Sequence, residues 1–178
     1  QRAEIIREKG TNRSAFFRGE VDKYNWVDIG SSFLPSDIIA AFLYAQLENL
    51  DAIQKQRIEI WEGYHKGLKE VSEAGFFTMP VIPDYAVNNG HMFYIICRSG
   101  EERQELIDFM KQNDILTTFH YQSLHKSPYF KDKHDGRELP NADKYSEKLL
   151  RMPLYYELTV EGVNFIVSKV REFFSNKK

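Results

Sequence analysis

The chain has 178 residues, of which 42% are hydrophobic and 28% charged, enough for one compact soluble domain with a core of its own. A net charge of −2 provides no global field to hold nucleic acid or anionic lipid, and the lone Cys97 excludes an internal disulfide and a cysteine zinc cluster. No run reaches the apolar length of a membrane span and none has the make-up of a signal peptide, so a cytoplasmic home is expected.

Gln1 to Gly10 has helical spacing with Gly10 where a C-terminal cap falls. It reads as the end of a helix, and the chain is expected to be a segment of a longer protein. Residues 11–35 show no clean period; they mix Thr11, Asn12, Arg13 and Arg18 with Phe16, Phe17, Tyr24 and Trp26. A loop of that length is expected to be functional or buried against something. Ser36 is a good N-cap, and Asp37 suits the first turn of the helix it opens. Ile38, Ala41, Phe42, Ala45 and Leu47 keep helical spacing to about Leu50. Asp51 reads as a second cap, and Ile53, Arg57, Ile60, Trp61, Tyr64 and Leu68 continue the pattern to Gly75. This is two helices or one long bent one.

Strands are expected at Phe76–Met79, at His91–Arg98 (the strongest signal) and at Ile115–Tyr121. Between the last two, Glu101–Asn113 is an amphipathic helix with Leu106, Ile107 and Met110 on one face. Residues 126–140 read as a loop, and Asn141 as the cap of a helix through Arg151 that Met152-Pro153-Leu154-Tyr155-Tyr156 breaks. Thr159 caps a last helix with Val163, Ile166, Val167, Val170 and Phe173 inward. The order predicts an α+β fold, a small and mostly antiparallel sheet covered on one face by helices. The expected divisions are an interface loop region at 1–35, a long helix region at 36–75 and a small α+β domain at 76–178.

Phe119-His120-Tyr121-Gln122-Ser123-Leu124-His125 is the most suggestive cluster. Two imidazoles and a phenol at a strand end can donate to a phosphate or a sugar hydroxyl, or move a proton near neutral pH. The plainer reading is an aromatic packing set with two solvated histidines. No third ligand has the spacing of a metal site. Arg13 and Arg18, with Lys9 and Asn12, form a small basic cluster that could clamp a diphosphate; a solvated charge run is the alternative. There is no glycine-rich nucleotide loop and no nucleophile elbow.

Four stretches resemble a known family: Arg7-Glu8-Lys9-Gly10-Thr11-Asn12-Arg13-Ser14 with Phe16-Phe17-Arg18-Gly19; Asp28 to Asp37 with Ala40-Ala41; His91-Met92-Phe93-Tyr94-Ile95; and the 119–125 cluster with Leu150 to Tyr155. In that order they are similar to the C-terminal part of the DegT/DnrJ/EryC1/StrS sugar-nucleotide aminotransferases, pyridoxal-phosphate enzymes of the type I (aspartate-aminotransferase) fold. The resemblance implies the small C-terminal domain of that fold with its long linking helix. It also implies a homodimer, pyridoxal 5'-phosphate as cofactor, and transfer of an amine from glutamate to C4 of a dTDP-4-keto-6-deoxyhexose for surface glycans. It places the Schiff-base lysine in a large domain before this chain, so that this chain carries no catalytic residue and alone is expected to be inactive. In many members Gly-Tyr-Asn-Tyr-Arg stands where Gly30 to Leu34 stand here, its Asn reaching the cofactor phosphate of the other subunit. Ser32 takes the Asn position and Leu34 the Arg position. His120, Tyr121 and His125 match the family's His-Tyr-x-Pro-Leu-His run beside the substrate, with Ser123 in place of Pro. Arg13, Arg18, Phe33, His120, Tyr121 and His125 are the substrate-binding candidates. Two other readings are a free-standing sugar-nucleotide or protein-binding module without catalysis, and a hydrolase using His120 and His125.

Overall fold

The computed structural model describes residues 1–177 and divides into two compact units, Gln1–Leu50 and Asp51–Lys178. The first unit holds α1 (Arg2–Arg7), α2 (Arg13–Phe17) and α3 (Asp37–Leu47). After α1 the backbone turns through two residues with positive φ, Lys9 at 64° and Gly10 at 79°. Extended segments then cross the end of α1. Ser31 N–H donates to Ile6 O at 2.9 Å, Lys9 N–H to Ser31 O at 3.1 Å and Phe33 N–H to Arg7 O at 3.1 Å, while Val27 and Asp28 both donate to Gly10 O. Backbone meets backbone here, so only glycine fits: a Cβ on Gly30 would lie 2.6 Å from Ile6 O and 2.8 Å from Gly10 Cα, with Gly10 N nearer still.

The loop expected at 11–35 thus contains a short helix, α2. Five residues are too few to display a period. Its start is made by Glu8, whose carboxylate accepts from Ser14 N–H at 3.1 Å and from Ser14 Oγ at 2.8 Å. Ser36 caps α3 as expected, accepting from Ile39 N–H. No residue of α3 is buried; Ile38, Ile39, Phe42, Leu43 and Leu47 are all exposed.

The second unit carries α4 (Leu50–Glu73), whose first residue precedes the division, then β1 (Phe77–Thr78), β2 (Tyr94–Cys97), α5 (Gly100–Gln112), β3 (Thr118–Phe119), a 3-10 turn (Leu124–Lys126), α6 (Pro140–Lys148), β4 (Leu149–Arg151) and α7 (Val160–Ser175). Asp51 lies inside the first turn of α4 rather than at its cap. The helical pattern is interrupted at Glu48 and Asn49, giving two helices. The strands run β1-β2-β4-β3, antiparallel throughout, and are shorter than their apolar runs suggest.

The helix expected to run through Arg151 ends sooner, at Lys148. Leu149 to Arg151 is not the end of a helix but an inner strand, pairing Tyr94↔Arg151, Ile95↔Leu150 and Ile96↔Leu149 on one side and Thr118↔Arg151 and Phe119↔Leu150 on the other. Two adjacent leucines fit either state; the ladders on both edges decide it. Pro140, not Asn141, opens the preceding helix, and Leu139 stands at the cap position without a side-chain hydrogen bond, as a proline at N1 permits.

The core sits between the sheet and α4, α5 and α7. Tyr64, Leu68, Phe93, Ile95, Leu106, Met110, Leu150, Val170 and Phe174 are its fully buried side chains. The inward face expected for α7, Val163, Ile166, Val167, Val170 and Phe173, is the buried one, and Thr159 caps it by accepting from Gly162 N–H at 3.1 Å. Cys97 is buried, and burial pushes its thiol up to about 12, so it is an inert packing group. Tyr64 is held by its hydroxyl, which donates to Pro153 O at 2.8 Å, and burial raises its pKa.

Candidate functional site

In the first unit the crossing at Gly10 and Gly30 fixes the segment that carries Ser32 and Phe33. Ser32 bridges Glu8 through the backbone, and its side chain is exposed. Phe33 beside it is 67% exposed. An exposed hydroxyl on a segment held by backbone hydrogen bonds can donate one hydrogen bond to an anion. Leu34 adds no cation.

Arg13 and Arg18 do not form a clamp. Arg13 opens α2 and lies over the Phe17 ring at 5.2 Å. The Arg18 fork is taken by two carboxylates: Nε donates to Glu20 Oε1 at 2.7 Å, Nη2 to Glu20 Oε2 at 3.1 Å and Nη1 to Glu4 Oε1 at 3.2 Å. The hydrogen bond with Glu20 raises the guanidinium's pKa and lowers that of the Glu20 carboxyl. The spacing 4, 18, 20 has no period, so nothing in the residue pattern signals this network.

In the second unit His120 and His125 face different clefts. His120 follows β3 and packs edge-on against Tyr121, ring centroids 5.2 Å apart. With Arg103, Ser123, Lys126 and Asp143 it lines a cleft of about 460 Å³. Tyr121 is almost fully exposed. His125 lines a second cleft of about 330 Å³ with Phe130, His134 and Arg137, its ring tilted on that of His134 at 5.1 Å. The two imidazoles do not share a reacting point, so the geometry gives no acid–base pair for hydrolysis. Asp143 on α6, not singled out by sequence, ties this region together. Its Oδ2 accepts from Lys126 Nζ at 2.9 Å, and Oδ1 stands 3.2 Å from His125 Nε2 without the alignment of a hydrogen bond.

The Lys126 ammonium holds the Asp143 carboxyl below its ordinary value of 3.8. The sign follows: a depressed folded-state pKa gives a stabilising contribution that is complete above the ordinary value and is lost as pH falls through the lower one. We expect the Asp143 carboxyl carbon to titrate by NMR below 3.8, and the midpoint to climb back in Lys126→Ala. A midpoint unmoved by that substitution contradicts the assignment. Among the described residues no group of three His, Cys, Asp or Glu gathers to hold a metal ion, and no helix is long and apolar enough to cross a membrane.

A third cleft, of about 450 Å³, opens on the sheet at the end of β4, lined by His91, Met92, Leu116, Thr118 and residues 151–154. Sequence reasoning passed over it because Arg151 stood in a stretch read as helix. The apolar, charged, apolar alternation Leu150-Arg151-Met152 was the available signal.

The sequence model of the DegT/DnrJ/EryC1/StrS aminotransferase family matches residues 1–171. Among solved structures, the aminotransferase TlmJ from Streptoalloteichus hindustanus superposes with a TM-score of 0.82 at 21% identity, over 99% of this chain and 45% of that one. Helicobacter pylori PseC, an aminotransferase involved in the biosynthesis of pseudoaminic acid, gives 0.79 at 19% identity over 97% of this chain and 45% of its own. The PLP-form of the putative sugar aminotransferase Spr1654 from Streptococcus pneumoniae gives 0.77 at 20%, over 97% and 42%. The chain thus spans less than half the length of these structures. Its fold is the α+β architecture found in this portion of those aminotransferases.

Proposed function

We propose, because this chain belongs to the DegT/DnrJ/EryC1/StrS aminotransferase family, that it is part of a pyridoxal 5'-phosphate-dependent sugar aminotransferase. The reaction we assign is transfer of the amino group of glutamate to C4 of a dTDP-4-keto-6-deoxyhexose. The observation that carries the reading is the family match along residues 1–171; the solved PLP- and PMP-forms of Spr1654 support the cofactor. At finer grain, the four resembling stretches favour a dTDP-4-amino-4,6-dideoxygalactose transaminase. Such an enzyme makes an amino sugar for enterobacterial common antigen and related lipopolysaccharide glycans in the cytoplasm, as a homodimer acting without nucleic acid or membrane.

In this reading residues 1–35 end the large-domain region and form an interface loop, 36–75 are the linking helices and 76–178 the small domain. The Ser32 hydroxyl donates to the phosphate of the cofactor bound by the partner subunit, and the exposed Phe33 covers the nucleotide-sugar. His120, Tyr121 and His125 line the substrate side, His120 offering an imidazole to a sugar hydroxyl. Arg13 is a candidate for the diphosphate; Arg18 reaches it only by leaving Glu4 and Glu20. Pyridoxal phosphate, when bound, supplies the electron sink that makes amine exchange feasible. The Schiff-base lysine belongs to the large domain, and the 178-residue chain alone is inactive. The all-round apolar surface of α3 supports a buried place for it in the dimer.

The test is to incubate the native protein with glutamate and dTDP-4-keto-6-deoxyglucose and follow products by mass spectrometry. We expect an amino-sugar nucleotide with one equivalent of 2-oxoglutarate, and loss of most turnover in Ser32→Ala at low cofactor. Tight binding of the nucleotide-sugar with neither product would instead favour a binding module.

A further inference from the structure

The segment from His120 to Lys126 leaves the edge strand β3 and carries the His120 imidazole and the Tyr121 phenol. Its burial runs against polarity. Tyr121 and Leu124 are exposed, and Ser123 between them is the one buried residue of the segment. Ordinarily the large apolar side chains would be inside and the serine outside. The Ser123 hydroxyl finds no partner among the described residues, but its main chain does: Ser123 N–H donates to Ser146 Oγ at 3.1 Å.

Ser146 lies on α6 three residues after Asp143, so the two side chains share one side of the helix. Its carbonyl accepts from Arg103 Nη1 at 3.0 Å. Arg103 on α5 in turn stands over the Phe119 ring at 5.8 Å, and Phe119 is the last residue of β3. The segment is thus held at three points. Its start is paired through Phe119↔Leu150, its middle hangs on Ser146, and its end is tied by Lys126 to Asp143. Tyr121 touches the edge of the His120 ring and falls between the first two points, so its stance follows the main chain that they fix.

We infer that Ser146 is a positioning residue for the substrate-side loop: by accepting from Ser123 N–H it fixes the main chain that aims Tyr121 at the nucleotide-sugar. That Tyr121 meets the nucleotide-sugar rests on the aminotransferase reading above. A loop ordered beforehand does not lose that freedom again on binding, and a small misplacement of a contacting group slows a reaction sharply. The hydrogen bond has a known substitute. Ser123 has φ −59° and ψ 123°, angles that proline adopts. Ser123→Pro would hold φ by its ring and leave no N–H to be satisfied.

The experiment uses the native protein and reads amide exchange in the loop beside the two half-reactions. Transfer in two halves gives separate kcat/KM values for glutamate and for dTDP-4-keto-6-deoxyglucose. Ser146→Ala should strip protection from the Ser123 amide. It should lower kcat/KM for the nucleotide-sugar about tenfold, as for one lost hydrogen bond, and leave that for glutamate near the parent's. Ser146→Thr keeps the oxygen and should restore both readings. In a Ser123→Pro background, Ser146→Ala should change nothing further, because no N–H is left to lose. Should Ser123→Pro misfold, the contrast between Ser146→Ala and Ser146→Thr decides alone. Equal falls for both substrates would mark a merely structural role and overturn the proposal. A Ser123 amide already unprotected in the parent, or both kcat/KM values unchanged in Ser146→Ala, would overturn it while leaving the aminotransferase reading intact. In a parent that forms no amino sugar that reading falls, and affinity for dTDP-glucose takes the place of the rate. Binding weakened by Ser146→Ala and restored by Ser146→Thr would then leave the positioning role standing; binding indifferent to both would remove it.

Discussion

Gly30→Ala is expected to dismantle the crossing in the first unit while leaving the second unit folded. The added methyl would meet Gly10 N, Ile6 O at 2.6 Å and Gly10 Cα at 2.8 Å, all main-chain atoms. No side chain can swing aside; the two segments must part. Parting them breaks the hydrogen bonds from Ser31 N–H to Ile6 O and from Lys9 N–H to Ser31 O and removes the support that holds Ser32 in place. The combined cost of overpacking and orphaned backbone groups is about 3 kcal/mol or more. Amide exchange is the measurement: residues 6–10 and 28–33 should lose protection, and residues from Asp51 onward should keep theirs. Retained protection at Ser31 would show that the backbones can separate cheaply.

The second large effect is expected at Phe93. It is fully buried, stacked on Tyr64 at 5.2 Å and edge-on to Trp61 at 5.4 Å, and its carbonyl accepts from Met152 N–H at 2.9 Å. Phe93→Ala opens a ring-sized cavity between α4 and the sheet, at a cost of about 3–5 kcal/mol. The melting temperature of the second unit should fall by roughly 10 °C or more, with Phe93→Leu recovering much of the loss. Phe93 and Met152 also flank the Tyr94–Arg151 pair, so a loosened core would blur the placing of Arg151 at the cleft. A shift of only a few degrees would mean that Trp61 and Tyr64 collapse into the space.

What could be read from the residues alone was what local chemistry decides. Ser36 and Thr159 announce their helices because a hydroxyl at the cap bonds an amide three residues on, and α7 declares its buried face by period. The resemblance drew the aminotransferase fold from an ordered set of short stretches, none sufficient by itself. What stayed hidden depends on partners far along the chain. Leu149 and Leu150 become a strand only because β2 and β3 lie on either side. Tyr94, Arg151 and Thr118 form a row through pairing, which spacing in one sequence does not reveal. His120 and His125, five residues apart across a strand end, need not share a face by spacing, and only the fold shows that they open onto two clefts. Arg18 looks available until Glu4 and Glu20 are seen on its fork.

The bare surface of α3 bears on mass action. A helix whose apolar residues all face outward has no face that its own unit prefers to bury, so its order is tied to whatever covers it. Where that cover is a second molecule, the free energy of holding residues 37–47 in place contains a concentration term: it grows with the logarithm of the covering partner's concentration over its dissociation constant. The second unit is held chiefly by a core of its own. In that case dilution would loosen the first unit before the second.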